Sequence, residues 1–252
     1  MSKIYFVGAG PGDPELITVK GKKSLETADI IIYAGSLVNP KLLTYAKKET
    51  KIYNSASMTL EEVLEVMIKG TDDNKKIVRL HTGDPSIYGA IREQMDALEK
   101  KNITFEVIPG VSSFVASAAS IKKEFTLPSV SQTVILTRVE GRTKVPKLEQ
   151  LDKLAAHQTS MAIFLSVQMI DKVVGQLLSH YSPETKIAVI QKASWPDEKI
   201  VMGTLTTIAE DVKKANITKT AQILVGDFLG DQYELSKLYD KTFSHEYRRA
   251  TK

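Results

Sequence analysis

The 252-residue sequence contains no cysteine, which excludes disulfides, thiolate nucleophiles and cysteine metal sites. It has no apolar run near the ~20 residues that a membrane-spanning helix requires. The N-terminus passes directly into a strand with polar flanks, so we expect a cytoplasmic protein that does not bind membranes. The 34 basic and 30 acidic residues are spread along the chain and give a net charge of +4. This balance argues against nucleic-acid binding and suits an anionic small molecule.

Motifs for nucleophilic or metal-assisted hydrolysis are also missing. The sequence has no Gly-x-Ser-x-Gly, no His-Glu-x-x-His and no pair of histidine and acid near a candidate serine. His81 is one of only four histidines, and a packed or solvated histidine is more common than a metal ligand. We therefore expect chemistry that depends on positioning. Group transfer from an already activated donor fits that requirement.

A glycine-rich segment follows the first apolar run, residues 4–7. Three glycines within residues 8–12 let the backbone turn sharply and approach another group closely. The segment does not match a dinucleotide loop, because Asp13 occupies the third glycine position and no acid ends the second strand. It does not match a Walker loop either, since no Gly-Lys-Ser/Thr follows. A ligand-binding loop and a tight strand-to-helix turn both remain open here.

Apolar runs alternate with helical periodicities along the first half of the chain. The predicted strands are residues 4–7, 29–33, 51–53, 76–80 and 104–108. Between the third and fourth, apolar residues recur at helical spacing from Leu60 to Ile68. This alternation predicts a parallel α/β sheet, whose ligands bind at the carboxyl ends of the strands. The stretches at Gly8, Gly83 and Gly110 all follow such strands.

The second half of the chain predicts another α/β unit. Its strands are residues 133–137, 161–165, 186–190, 199–202 and 222–225. Residues 195–198 are too few for a crossover helix, so the two strands beside them should be antiparallel and the sheet mixed. We expect domains at residues 1–124 and 130–240, a linker at 125–129 and a polar tail at 241–252.

Two groups of polar residues have both a functional and an ordinary interpretation. Asp84, between Gly83 and Pro85, could accept hydrogen bonds from a cationic amino group or from hydroxyls. Asp before Pro is also a frequent turn former. A basic cluster after the first strand of the second unit could hold substrate carboxylates, or could simply be a solvated loop. Its members are Arg138, Arg142, Lys144 and Lys147.

Three motifs together resemble the tetrapyrrole methyltransferase family, the S-adenosylmethionine enzymes of cobalamin and sirohaem synthesis. They are VGAGPGDPELIT at residues 7–18, LHTGDPSIYG at 80–89 and VIPGVSS at 107–113. YAGSLVNP at 33–40 and LYDKTFSHEYR at 238–248 are similar to the precorrin-4 C11-methyltransferase branch. Uroporphyrinogen methylases carry an Asp-Arg-Leu-Val type of sequence where this chain has Gly-Ser-Leu-Val, which argues against uroporphyrinogen as the substrate.

The resemblance implies two α/β domains with the active-site cleft between them, and a homodimer. S-adenosylmethionine would be the methyl donor and an anionic tetrapyrrole the acceptor, with no metal ligands from the protein. The implied donor-binding residues are Gly83, Asp84, Ile87, Ser112, Ser113, Phe164, Leu165, Ala193, Thr220 and Ala221. The implied acceptor-binding residues are Gly10, Pro11, Gly12, Ser36 and Arg138. Asp84 and Tyr88 are the catalytic candidates, mainly through positioning.

The reaction we expect is methyl transfer to C-11 of cobalt-precorrin-4 or precorrin-4. Another precorrin or uroporphyrinogen C-methyltransferase of the same family is the nearest alternative. A tetrapyrrole-binding protein without turnover is an alternative from another class, and a dinucleotide oxidoreductase is a third.

Overall fold

The computed structural model describes residues 3–251, and the chain divides into two compact units. Unit 1 takes in the chain up to Ala116 together with Lys192–Glu198. Unit 2 takes in Ser117–Gln191 and the chain from Lys199 onward. Residues 125–129, which the sequence suggests as a linker, are thus grouped with unit 2. The short segment Lys192–Glu198, which the sequence places in the second domain, is grouped with unit 1.

Within the described residues, unit 1 contains five strands and three complete helices. The strands are β1 (Ile4–Gly8), β2 (Ile30–Tyr33), β3 (Lys51–Asn54), β4 (Ile77–His81) and β5 (Phe105–Ile108). The helices are α1 (Val19–Glu26), α2 (Leu60–Asp72) and α3 (Arg92–Glu99), and short 3-10 turns cover Pro14–Leu16, Pro40–Tyr45 and Ser55–Ser57. A further helix, α4 (Ser113–Ser120), begins in unit 1 and ends in unit 2.

The sheet of unit 1 is parallel, in the order β3-β2-β4-β1-β5. Its central strands β1, β2 and β4 are largely buried on both faces, whereas the edge strand β3 is mostly exposed. Alternate side chains of a strand point to opposite sides. In β1, Val7 packs in the same cluster as Leu25 of α1. Phe6 packs on the other side with Met67 of α2 and Leu98 of α3. The predicted parallel α/β sheet is therefore confirmed.

Unit 2 contributes five more strands and three short helices to the part of the chain that the structure describes. The strands are β6 (Val134–Arg138), β7 (Ser160–Phe164), β8 (Lys186–Gln191), β9 (Lys199–Thr204) and β10 (Ala221–Val225). The helices are α5 (Leu151–Ala155), α6 (Ile170–Leu177) and α7 (Ile208–Lys214), and 3-10 turns cover Lys147–Glu149, Val167–Met169, Asp227–Leu229 and Lys237–Tyr239.

The sheet of unit 2 is mixed, in the order β6-β7-β10-β8-β9. β6 and β7 run parallel, whereas β10 is antiparallel to both of its neighbours. β8 and β9 form the antiparallel pair that the short connection at residues 195–198 predicts. The mixed sheet is therefore confirmed.

The end of the chain is organised by one arginine. The Arg248 guanidinium donates to the carbonyls of Leu238 and Asp240, each at 2.7 Å. Tyr239 and Tyr247 in this segment are both exposed. Throughout residues 3–251, the helices are too short or too polar to cross a bilayer.

Candidate functional site

Three loops of unit 1 meet at the carboxyl edge of its sheet, after β1, β4 and β5. Backbone bonds join the first two: Gly83 N donates to Gly10 O at 2.8 Å, and Gly10 N donates to Gly83 O at 3.3 Å. A Cβ placed on Gly8 would lie 2.6 Å from Gly110 Cα and 2.7 Å from Gly83 O. Real Cβ atoms do not approach backbone so closely, so Gly8 and Gly110 are required for the loops to pack against each other.

Gly83 differs from the other two glycines. Its φ is +59°, in the left-handed region that favours glycine. A Cβ placed there would have Ser112 Cα as its nearest neighbour, at 3.6 Å. One methyl group would therefore fit beside Gly83, in ordinary contact with the loop after β5.

Asp84 holds the loop after β5 in place. Its Oδ2 accepts from Gly110 N at 2.8 Å, and its Oδ1 accepts from the backbone N–H and the hydroxyl of Ser86. Burial alone would raise the pKa of Asp84, but the hydrogen bonds from Ser86 and Gly110 outweigh it and lower the pKa. The carboxylate is therefore ionised at neutral pH and cannot serve as a general acid there.

The segment after Pro85 has an unusual backbone. Tyr88 and Ala90 have φ values of +55° and +50°, which are uncommon for residues other than glycine. Gly89 between them lies against Pro85, whose carbonyl a Cβ would overlap. The Tyr88 side chain is 47% exposed. Strain of this kind costs about 1–3 kcal/mol per residue and concentrates at functional sites.

The remaining predicted residues of unit 1 lie close to these loops in sequence. Ile87 N donates to Asp84 O at 3.2 Å, which makes Ile87 part of the same turn. Ser112 is buried and Ser113 begins α4. Ser36 follows β2 and is exposed. The structure therefore brings Gly10, Gly83, Asp84 and Ser112 together at one edge, as the strand order requires.

His81, at the end of β4, is a packed residue. It is 4% exposed and its ring lies 6.1 Å from that of Phe6. Burial, with a smaller contribution from the charge of Arg79, lowers its pKa to about 3. His81 is thus neutral at physiological pH, and the packed interpretation is the one the structure supports.

Pro11 and Gly12 are covered by Trp195, a contact that the sequence does not predict. The Trp195 indole lies on Gly12, and its Nε1 donates to Pro11 O at 2.9 Å. Asn39 Nδ2 also donates to Gly12 O, at 2.7 Å. Pro11 and Gly12 are both buried as a result. No local pattern links residue 195 to residue 12, so sequence reasoning missed this contact.

In unit 2, register brings four predicted residues to one edge of the sheet. Arg138 pairs with Phe164 across β6 and β7, and Ile163 pairs with Ile223 across β7 and β10. Leu165 and Ala221 therefore lie at the same end of neighbouring strands. Ala193 belongs instead to the segment grouped with unit 1, where it is buried.

Two residues at this edge of unit 2 have strained backbones. Leu165 and Thr220 have φ values of +54° each, and Thr220 is β-branched, for which this region is an outlier. Leu165 is also 67% exposed. Strained backbones of this kind concentrate at functional sites.

The basic cluster of unit 2 is partly engaged in its own loop. The Arg138 guanidinium donates to the carbonyls of Thr143 and Lys144 at 3.1 and 3.0 Å. Arg142, Lys144 and Lys147 are exposed. Arg138 therefore shapes the loop, and it retains N–H groups that could also meet an anion.

Comparison with known proteins gives consistent matches along the whole chain. The sequence model of the family described as Tetrapyrrole (Corrin/Porphyrin) Methylases matches residues 3–209. The cobalt-precorrin-4 C(11)-methyltransferase of Methanocaldococcus jannaschii is 63% identical over 252 residues, covering 99% of this chain and 97% of that protein. The X-ray structure of the cobalt precorrin-4 methyltransferase CbiF aligns with a TM-score of 0.89 at 45% identity, covering 91% of this chain and 96% of that one.

A more distant structure includes a bound molecule. Uroporphyrin-III C-methyltransferase from Thermus thermophilus, in complex with S-adenosylhomocysteine, aligns with a TM-score of 0.77 at 26% identity. The alignment covers 90% of this chain and 99% of that one. The two-sheet architecture is therefore shared with methyltransferases over nearly the full length of the chain.

Proposed function

Because the chain belongs to the family of tetrapyrrole (corrin/porphyrin) methylases, we propose that it methylates C-11 of cobalt-precorrin-4 in cobalamin biosynthesis. S-adenosylmethionine is the proposed methyl donor. The observation that carries the proposal is the 63% identity, over 99% of this chain, to a cobalt-precorrin-4 C(11)-methyltransferase. The loop motifs on which the sequence resemblance rests lie together at the carboxyl edge of the first sheet, where α/β proteins bind ligands.

The residues of unit 1 fit a cationic donor. When bound, S-adenosylmethionine supplies a methyl group whose bond to sulfur breaks, with the electron pair going to sulfur, as a carbon–carbon bond forms at C-11. Asp84 stays ionised and retains acceptor capacity beyond the contacts with Gly110 and Ser86, since a carboxylate has about four lone-pair sites. It can therefore accept from the donor's ammonium group.

The chain is proposed to act by positioning and by excluding water. The electron-rich ring carbon of a reduced tetrapyrrole and a sulfonium methyl group need alignment and desolvation rather than a strong base. Tyr88, 47% exposed on a strained backbone, is proposed to position the acceptor. Ile87, Ser112 and Ser113 are proposed as further donor contacts in unit 1.

The acceptor is proposed to lie against residues 10–12 with its carboxylate groups near basic and hydroxyl side chains. Ser36 is exposed after β2, and Arg138 retains unused N–H donors. The net charge of +4 favours approach of an anionic tetrapyrrole.

In unit 2, contact of Phe164, Leu165, Thr220 and Ala221 with the adenosine stays a prediction from the resemblance, as does contact from Ala193. Strain at Leu165 and Thr220 supports a functional role for this edge. We also propose a cytoplasmic homodimer, and light scattering of the purified protein tests the dimer.

The decisive experiment supplies the purified protein with S-adenosylmethionine labelled with ¹³C in its methyl group. With cobalt-precorrin-4 as acceptor, we expect stoichiometric S-adenosylhomocysteine and a product whose ¹³C resonance and couplings place the new methyl at C-11. Uroporphyrinogen III and the neighbouring pathway intermediates serve as control acceptors. A label at another ring carbon, or transfer to uroporphyrinogen alone, would replace the proposed substrate. Tetrapyrrole binding without S-adenosylhomocysteine would indicate a binding protein.

A further inference from the structure

Trp195 is the only tryptophan of the sequence, and it closes over the glycine-rich loop after β1. A Cβ placed on Gly12 would overlap Cδ1 and Nε1 of the indole. The indole N–H also donates to Pro11 O at 2.9 Å. The ring therefore contacts the bare backbone of Gly12 and is hydrogen-bonded to the residue before it.

Two further side chains hold the same loop. Asn39 Nδ2 donates to Gly12 O at 2.7 Å, and Asp13 N donates to Ser194 Oγ at 3.0 Å. Each of three consecutive loop residues thus has one backbone polar group bonded to a side chain distant in sequence. A loop that would otherwise have several conformations is fixed from outside by these bonds.

The segment Lys192–Glu198 is itself rigidly built. Ser194 N donates to Glu198 Oε2 at 2.7 Å, and Trp195 N donates to Lys192 O at 2.9 Å. The Lys192 ammonium lies 5.6 Å from the indole centroid, within cation–π range. Lys192 and Ser194 have φ values of +52° and +68°. Backbone conformations of this kind persist only where surrounding contacts enforce them.

From these contacts we propose that Trp195 is a positioning residue for the methyl acceptor. By fixing Pro11 and Gly12, which lie buried beneath its ring, it sets the position of the loop that a reduced tetrapyrrole approaches, while the donor loop at Gly83 is held by Asp84 and Gly110 in addition to its bonds to Gly10. The inference rests on the proposed function, in which residues 10–12 bind the acceptor. Its consequence is that disturbing Trp195 changes the use of the acceptor and leaves donor binding intact.

The first test compares Trp195→Phe and Trp195→Ala with the wild-type protein. Trp195→Phe removes the hydrogen bond and the edge of the indole that lies on Gly12 but keeps an aromatic ring, and it should lower kcat/KM for cobalt-precorrin-4 by about 5–10-fold. Loss of the ring as well, in Trp195→Ala, should lower it by about 100-fold. The Kd for S-adenosylhomocysteine, measured by calorimetry, should stay within about twofold, because the donor loop keeps its own bonds to Gly110 and Gly10. Tyr247→Ala, an exposed aromatic in unit 2, is the matched control and should change neither quantity.

The second test uses Gly12→Ala, whose added methyl group competes with the indole for space. In the wild-type background this change should lower kcat/KM for the acceptor by about 100-fold, since the ring must move. In the Trp195→Ala background it should have an effect of about threefold or less, because the space is vacant. A general loss of stability would instead make the two effects multiply. Asn39→Asp keeps an oxygen for its cap on Lys41 N but sets a buried carboxylate oxygen against Gly12 O in place of the donor, so it should lower kcat/KM by more than Trp195→Phe does.

The outcomes separate the inference from the function on which it rests. If the wild-type protein methylates no tetrapyrrole, the proposed function fails. If the wild-type protein is active and the Trp195 variants keep its kcat/KM, the positioning role is overturned. It is also overturned if these variants lose S-adenosylhomocysteine binding and keep the acceptor KM. The same holds if the effects of Gly12→Ala and Trp195→Ala on kcat/KM multiply in the double variant.

Discussion

The two sheets of this protein present their loops in different ways. In unit 1, the loops after β1, β4 and β5 are locked by backbone contacts that only glycine allows at Gly8 and Gly110. In unit 2, the corresponding edge carries side chains on strained backbones at Leu165 and Thr220. The loops of the parallel sheet thus pack tightly because glycines have no side chains, whereas the loops of the mixed sheet hold larger side chains on a strained backbone.

The largest expected effect comes from adding one methyl group to the interlocked loops. In Gly110→Ala the Cβ would overlap Gly83 O and lie 2.8 Å from Gly8 Cα. Neither backbone atom can move aside easily, so we expect a loss of about 3 kcal/mol in the free energy of unfolding. Chemical denaturation measures the change.

Gly175→Ala is the matched control for this substitution. Gly175 lies within α6, and apart from its chain neighbours and the backbone of its own helix, nothing in the described part of the chain comes within 4 Å of the position that its added methyl group would take. Alanine should therefore stabilise the protein by about 0.5–1 kcal/mol, because glycine is a poor helix former. Equal effects of the two substitutions would contradict the interlocked-loop description.

An intermediate effect is expected from Asp84→Asn. Asparagine keeps one acceptor but turns an N–H₂ group toward Gly110 N or Ser86 N, so we expect a loss of about 2 kcal/mol at pH 7. Because the pKa of Asp84 is lowered by folding, the stabilisation from its charge is complete above the unfolded pKa of about 3.9. It is lost as the pH falls through the lower, folded pKa.

Unfolding experiments at pH 7 and in acid check this prediction. The difference between wild-type protein and Asp84→Asn should shrink as the pH falls below about 4. Asp72→Asn, at the exposed end of α2, serves as the control for removing a charge. Calorimetry with S-adenosylhomocysteine tests the same variant for donor binding, and unchanged affinity would exclude Asp84 from the donor site.

The smallest expected effect concerns the edge of the second sheet. Thr220→Gly relieves a φ of +54° and should raise the free energy of unfolding by up to about 1 kcal/mol. The same change at Thr218, two residues earlier, should destabilise because glycine adds flexibility without relieving strain. If Thr220→Gly also weakens S-adenosylhomocysteine binding, the strained conformation of Thr220 lowers stability but favours binding. Destabilisation by Thr220→Gly would show that the conformation carries no strain.

Much of the fold can be predicted because the strands are marked by their own composition. The β-branched run at β2 is what a strand buried on both faces requires, and the short connection before β9 determines an antiparallel pair. Helices α5 and α7 were not predicted, since five and seven residues span too few turns for a clear period. The strand order then explains why the glycine loops meet, which the sequence alone shows only as recurring motifs.

The candidate site was predictable only in part. Gly83 and Asp84 could be singled out because their residue types and positions after a strand are visible in sequence. The role of Asp84 in holding Gly110 could not, since it depends on a contact across two strands. The strain at Thr220 is invisible because threonine has no preference for a positive φ. The role of Trp195 could not be predicted, because it contacts a loop that is more than 180 residues away in sequence.

The place of Trp195 in the chain also affects the order in which the protein can form. Domains usually fold as their residues emerge during synthesis, from the N-terminus onward. Most residues of unit 1 have been synthesised once the chain reaches Ala116. The segment Lys192–Glu198 is synthesised only after the strands β6, β7 and β8. The glycine-rich loop therefore emerges from the ribosome uncovered, and its tryptophan follows later. A nascent chain stalled before residue 192 would have a first sheet with an unfinished loop.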